Sequence, residues 1–304
     1  MNHSPRRSHG RTAVTEVVRS ALPLFAAAMR HAAAPTLSGG DSGTSVAVAT
    51  GLVRLDAALG GGLTLGTLAL VAGRPRMGSS SLLIGMALAA IKRGEPVAIL
   101  SERIGEEQLR GRLVLLEARV NGYRLRAGLA GREDRIALDA AHERIPWQLL
   151  SLRCKPCVTP FDIEDHLFTY RPRLLVADLQ PRPKEEHAPA GGLGNLAAGA
   201  EHLAHLAAQH RVAVVVRAIL PRRAGVPVRS ELPGLGAYAD AFATVLLLHR
   251  TSEAAQTWTS AAADAPGSLA ELQVVRHHGR DLAPVHVKLF FDQRYAALRD
   301  CRPG

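Results

Sequence analysis

The run Leu68-Ala69-Leu70-Val71-Ala72 is short and wholly apolar, and Gly73-Arg74-Pro75-Arg76-Met77-Gly78-Ser79-Ser80 follows it directly. Ser81 to Ala90 then carries Leu82, Leu83, Ile84, Met86 and Leu88 and reads as a helix. A buried strand, a glycine-bounded turn and a helix in that order describe a phosphate-binding P-loop. The spacing of Gly73, Gly78 and Ser80 fits the G-x-x-x-x-G-K-[ST] pattern, except that Ser79 stands at the lysine position. Residues 73–80 (Gly73, Arg74, Pro75, Arg76, Met77, Gly78, Ser79 and Ser80) are therefore the candidate nucleotide-binding loop. An ordinary ATPase is in question, because lysine neutralises phosphate charge during transfer and serine cannot.

The remaining elements extend this start into an α/β domain with a largely parallel central sheet. Strands are expected at 96–100, 173–178, 212–219 and 244–248, with an antiparallel pair at 269–276 and 284–291. Helices are expected at 106–120, 161–170 and 195–210, and 142–152 is ambiguous. Residues 1–34 read as a basic tail followed by an amphipathic helix over 12–34, which packs on its own domain or on a neighbouring subunit. Residues 35–49, with Gly39, Gly40 and Gly43, read as a flexible linker. The main domain is expected over 50–304. The polar interruptions 180–194, 221–236 and 251–268 follow strands, where open α/β sheets bind ligands; disorder accounts for 251–268 equally well.

Phosphate chemistry needs more than a loop. Asp178 ends an apolar strand and is placed to hold Mg²⁺ through water together with the Ser80 hydroxyl. Glu102 follows the strand before it and is the candidate base, provided strand register turns it towards the site. Arg280, with Arg276, flanks His277-His278-Gly279 and could supply transition-state charge to a neighbouring subunit; a solvated basic turn explains the same residues.

The net charge is +10, carried almost wholly by arginine. That favours a polyanionic partner, although a GC-rich coding sequence produces the same bias. Arg222, Arg223 and Arg229 lie in one loop beyond a strand end and are the candidate contacts to single-stranded DNA. Aromatic residues make up only 4% of the chain, so such binding would follow the backbone rather than stack on bases. The three cysteines include Cys154-Lys155-Pro156-Cys157, which lacks a second pair to complete a structural zinc site and reads as free thiols. With neither a signal peptide nor a membrane-spanning run in the sequence, the expected location is cytoplasmic.

The order of motifs resembles the C-terminal motor domain of DnaB-type replicative helicases. The resemblance runs from Thr50-Gly51-Leu52 and Gly61-Gly62-Leu63 through Arg74-Pro75-Arg76-Met77-Gly78. It continues over Glu107-Gln108-Leu109, Arg112-Leu113, Asp178-Leu179-Gln180, Ser230-Glu231-Leu232 and Val287-Lys288-Leu289. It implies a RecA-like fold, a hexameric ring, ATP with Mg²⁺, translocation on single-stranded DNA, and work in DNA replication with replication-machinery partners. The departures fall on the chemistry. Ser79 and Ser80 replace lysine and threonine, the family's catalytic glutamate aligns with Arg103, its glutamine sensor with Ile219, and its arginine finger near His278. The resulting expectation is a helicase-family protein with a degenerate ATP site. An active 5'-3' replicative helicase and a non-catalytic interaction protein are the alternatives.

Overall fold

The computed structural model describes residues 46–179, 196–222, 225–228, 239–250 and 267–301. The expected N-terminal helix, Arg223 and Arg229, and most of the three polar interruptions lie outside the described residues.

Six neighbouring strands of the central sheet are parallel: β3 (Leu68–Gly73), β4 (Val97–Ser101), β5 (Leu150–Cys154), β6 (Leu174–Asp178), β7 (Ala213–Ile219) and β8 (Thr244–Arg250). β9 (Ser268–His277), β10 (Arg280–Asp292) and β11 (Ala297–Asp300) continue it antiparallel. The nine strands lie in the order β11-β10-β9-β8-β3-β7-β6-β4-β5. A separate short pair joins β1 (Ala47–Val48) to β2 (Leu63–Thr64). Every residue of β3, β4 and β6 is buried, as expected of parallel strands covered on both faces.

Alternation along the strands divides the core into two layers. Ala69, Val71, Val97, Ile99, Val176 and Val215 pack under α2 (Ser79–Lys92) and α3 (Glu106–Ala118), while α1 (Val53–Ala58) adds Leu55 to the same layer. Leu70, Ala98, Leu100, Ala177 and Val216 pack under α6 (Pro160–Tyr170) and α7 (Leu196–His210). α2 is apolar nearly all round and threads between sheet and surface, ending before Gly94, whose φ is 85°. In α3, Glu106 and Glu107 in the first turn complement the helix dipole. α6 starts with Thr159 accepting the Asp162 N–H, with Pro160 at the first helical position.

The ambiguous stretch 142–152 resolves into three pieces: the end of α5 (Arg132–Arg144), a 3₁₀ turn at Trp147–Leu149, and β5. α5 follows the short α4 (Gly122–Arg126) and buries only Leu138 and Ala141, so its sequence shows little apolar periodicity. The antiparallel pair is longer than expected and gains β11 as a third strand. No described helix is long and apolar enough to cross a membrane.

Candidate phosphate-binding site

The glycine turn closes on itself before the helix begins. Met77 N–H donates to the Arg74 carbonyl (3.3 Å), Arg76 adopts φ 68°, and Gly78 adopts φ 102° as the residue capping α2. A Cβ on Gly78 would meet Cε2 of Phe291 at 2.9 Å, so both the backbone angle and the close approach of β10 require glycine. The turn therefore leads directly into the first turn of α2, the strand–turn–helix arrangement from which P-loops build an anion cradle.

The loop is braced from outside by two arginines. Arg74 is buried, with Nε donating to the Pro221 carbonyl at 3.2 Å and Nη1 to that of Gly225. It ties the cradle to the segment after β7 instead of reaching over the turn. Arg250, 1% exposed, donates from Nη1 to the Arg76 carbonyl and stacks 4.1 Å from the Phe291 ring centroid. Burial pushes its guanidinium down to about 10. Arg76 itself is exposed, and Ser79, at the position of the absent lysine, is buried.

Parallel register brings the acid to this turn. Asp178 pairs with Ser101 of β4 and, one step on from the Ala177–Val216 pair, stands beside Arg217 of β7. Ser80 Oγ donates to Asp178 Oδ2 at 3.3 Å, and Arg217 Nε donates to Asp178 Oδ1 at 2.6 Å. The Arg217 side chain is 3% exposed and that of Asp178 11%. Burial lowers the Arg217 pKa from its ordinary value, the Asp178 carboxylate opposes that shift, and Arg103 adds to it. Arg112 of α3 also lies in the field of Asp178. One carboxylate is therefore surrounded by several guanidinium groups.

Glu102 is not brought to this cluster. Ser101 and Asp178 share the α2 side of the sheet; Glu102, one residue on, follows Ala98 and Leu100 to the α6 side. There its carboxylate accepts the Val158 N–H at 2.7 Å. Arg222 is exposed just beyond the carboxyl end of β7, the same end as the cradle. Arg280 is exposed at the β9–β10 turn, where His278 (φ 50°) and Gly279 (φ 72°) adopt the positive angles of a two-residue hairpin. Gly279 N–H donates to the Ala243 carbonyl, at the amino end of β8. Because β8 runs parallel to β3, Arg280 sits at the opposite end of the sheet from its own cradle. Arg276 is buried in ion pairs with Asp240 and Asp281.

A cleft of about 690 Å³ opens on the other side of α2, lined by Thr50, Ser81, Gly85, Glu117, Arg294 and Tyr295 among others; neither Ser80 nor Asp178 lines it. Cys154 and Cys157 are free thiols, and among the described residues no three acidic, histidine or cysteine side chains cluster as a metal site.

Arg217 and Arg250 were missed by motif reading. The signal that could have exposed Arg217 is its interruption of the run Val214-Val215-Val216, since an arginine in a buried parallel strand needs a reason.

Three solved structures share this architecture. The ATPase domain of G40P matches with TM-score 0.71 at 18% identity, covering 95% of this chain and 99% of that one. A DnaB-like replicative helicase, solved for its interactions with primase, matches with TM-score 0.71 at 18% identity over 99% of this chain and 68% of that one. The RadB recombinase matches with TM-score 0.54 at 18% identity over 84% of this chain and 100% of that one. At such identity these likenesses establish a RecA-like fold. No curated relative matches the chain. The sequence model of the DnaB-like helicase C-terminal domain matches residues 47–300, and with the P-loop, sheet order and Asp178 placed as described, the chain belongs to the DnaB-like helicase C-terminal domain family.

Proposed function

We propose that this protein is a DnaB-like module that retains a nucleotide site and a surface for single-stranded DNA but turns ATP over poorly. The contact between Ser80 and Asp178 at the mouth of a left-handed Gly78 carries the nucleotide reading. The cradle suits a phosphate chain, because backbone N–H groups and the start of α2 face it without help from a lysine. ATP is the proposed ligand.

The same residues do not suit Mg²⁺ in its usual role. Asp178 already bonds Arg217 through one oxygen and Ser80 through the other, so its charge is balanced before any metal arrives. Glu102 holds the 158 loop and is not offered as the base. A chain without the P-loop lysine, and with Glu102 turned to the other layer, has lost groups each worth roughly a hundredfold or more in rate.

Arg222 supports the DNA reading, with Arg223 and Arg229 assigned to the same contact by sequence. Arg280, far from its own cradle, is assigned in this reading to a neighbouring copy in a ring; homo-oligomerisation, a role beside the replication machinery and a cytoplasmic location belong to this proposal. Steady-state ATPase assays with and without single-stranded DNA test it. Turnover near background, similar in Asp178→Ala, and DNA binding that weakens with salt and with Arg222→Ala are expected. Brisk Mg²⁺-dependent turnover abolished in Asp178→Ala would establish the working helicase instead.

A further inference from the structure

The Arg217 guanidinium is a buried charge beside the cradle that the sequence motifs did not assign. It rises from the middle of β7, in register with Val71 of β3, two residues before the cradle begins. The residue is only 6% exposed, in a strand whose other five buried residues are apolar. Nε donates to Asp178 Oδ1. Nη2, which neighbours Nε and also borders the end of the fork, is buried and has no hydrogen-bond partner among the described residues. An open N–H on a buried cation is costly and calls for an explanation, and a bound anion supplies one.

Asp178 Oδ2 meets the Ser80 hydroxyl, so Arg217, Asp178 and Ser80 form a continuous chain of contacts to the first turn of α2. In a working P-loop two cations converge on the phosphates there, the loop lysine and Mg²⁺. Here the lysine is serine and the acid that would steady the metal is held by an arginine.

We propose that Arg217 is the resident phosphate-binding cation of this site, so that the chain binds the polyphosphate of a nucleoside triphosphate without magnesium. This rests on the nucleotide reading of the cradle and deepens it. Arginine suits the task, because its planar fork can hold a carboxylate with one edge and a phosphate oxygen with the other. Arg103, which lies within the same field, adds positive charge that a magnesium-free triphosphate, more anionic than its metal complex, would need.

Calorimetric titration of the full chain with ATP, and separately with inorganic pyrophosphate, tests this in excess Mg²⁺ and in EDTA. Wild-type affinity for ATP should be no weaker in EDTA. Arg217→Leu/Asp178→Asn, which removes both charges together and so leaves no unpaired buried charge, should weaken binding in EDTA by about 10- to 100-fold, the worth of one charge-assisted hydrogen bond. Arg217→Leu alone frees Asp178 and should make the residual binding depend on Mg²⁺; Arg217→Lys should retain part of the metal-free affinity. Binding that Mg²⁺ strengthens tenfold in the wild type, or that the double variant leaves unchanged, would overturn the assignment while leaving the nucleotide site standing. Failure of ATP and pyrophosphate to bind under either condition would overturn both. The comparison of Mg²⁺ with EDTA needs no variant, so it decides even where a substitution prevents folding.

Discussion

Asp178→Asn should cost the fold far more than Arg217→Leu, although each removes one half of the same ion pair. At an effective dielectric of about 20, unit charges some 4 Å apart attract by roughly 4 kcal/mol, and stripping one partner from a buried pair costs about 3–5 kcal/mol because the other charge is stranded. Asn keeps Oδ1 as an acceptor for Arg217 Nε, which places the loss at the low end, about 3 kcal/mol. Spread over a domain of this size, at roughly 2–4 °C per kcal/mol, it lowers the melting midpoint by roughly 6–12 °C. Arg217→Leu strands the Asp178 carboxylate instead, but that group keeps the Ser80 hydroxyl, lies in the field of Arg112 and, at 11% side-chain exposure, retains some contact with water. The substitution also removes the orphaned Nη2. Its expected cost is about 1 kcal/mol or less, and the double variant should melt near Arg217→Leu rather than at the sum of the two. Thermal unfolding followed by circular dichroism, without nucleotide, measures all three. Equal losses for the two single variants, or a strictly additive double variant, would refute the claim that Asp178 exists here to neutralise a buried guanidinium.

Gly78→Ala should lower stability by about 1–3 kcal/mol, through its φ of 102° and the 2.9 Å approach to Phe291, and should weaken anion binding in the same titrations. Gly85→Ala, in the middle of α2 with nothing within 4 Å of where the new methyl group would lie, should instead raise stability by about 0.5–1 kcal/mol. His166 is pushed down to about 4, chiefly by burial and further by Arg153. Its folded-state pKa lies below the ordinary 6.5, so the unfolded chain takes up the proton first and stability falls as pH drops from about 6.5 towards 4. Melting midpoints across that window should fall less steeply in His166→Leu, with a difference on the order of 1 kcal/mol at pH 5; parallel profiles would remove His166 from the account. Glu102→Ala leaves the Val158 N–H without its carboxylate acceptor and should cost about 1–3 kcal/mol, read by urea unfolding.

Much of this architecture is legible in the residues. β3, β4, β6, β7 and β8 each carry a run of apolar residues, at least four long, and parallel strands covered on both faces must look like that. The Gly78 turn and the acid at the end of β6 follow from spacing alone. α5 and β5 do not: the helix is mostly polar on every side, and the strand lies at the sheet edge, where only Leu150 is buried. The direction of Glu102 turns on a single residue of register beyond Ser101, which no composition reveals. Arg217 was hidden differently. Motif reading looks for charges at loop positions, and this one approaches the cradle from within a valine strand, where hydrophobic pattern conceals it.

The contact of Gly78 with Phe291 has a consequence for biogenesis. The turn is encoded in the first third of the chain, yet the aromatic wall behind it and the Arg250 donor beneath Arg76 come from β10 and β8, the latter 174 residues downstream. Asp300 likewise reaches back 247 residues to the Val53 N–H. A ribosome that has released only the parallel strands has therefore made a pocket with an open back. Ligand-binding competence should arrive late in synthesis, when the last antiparallel strands close against the earliest motif, and long loops of this kind make that closure a slow step.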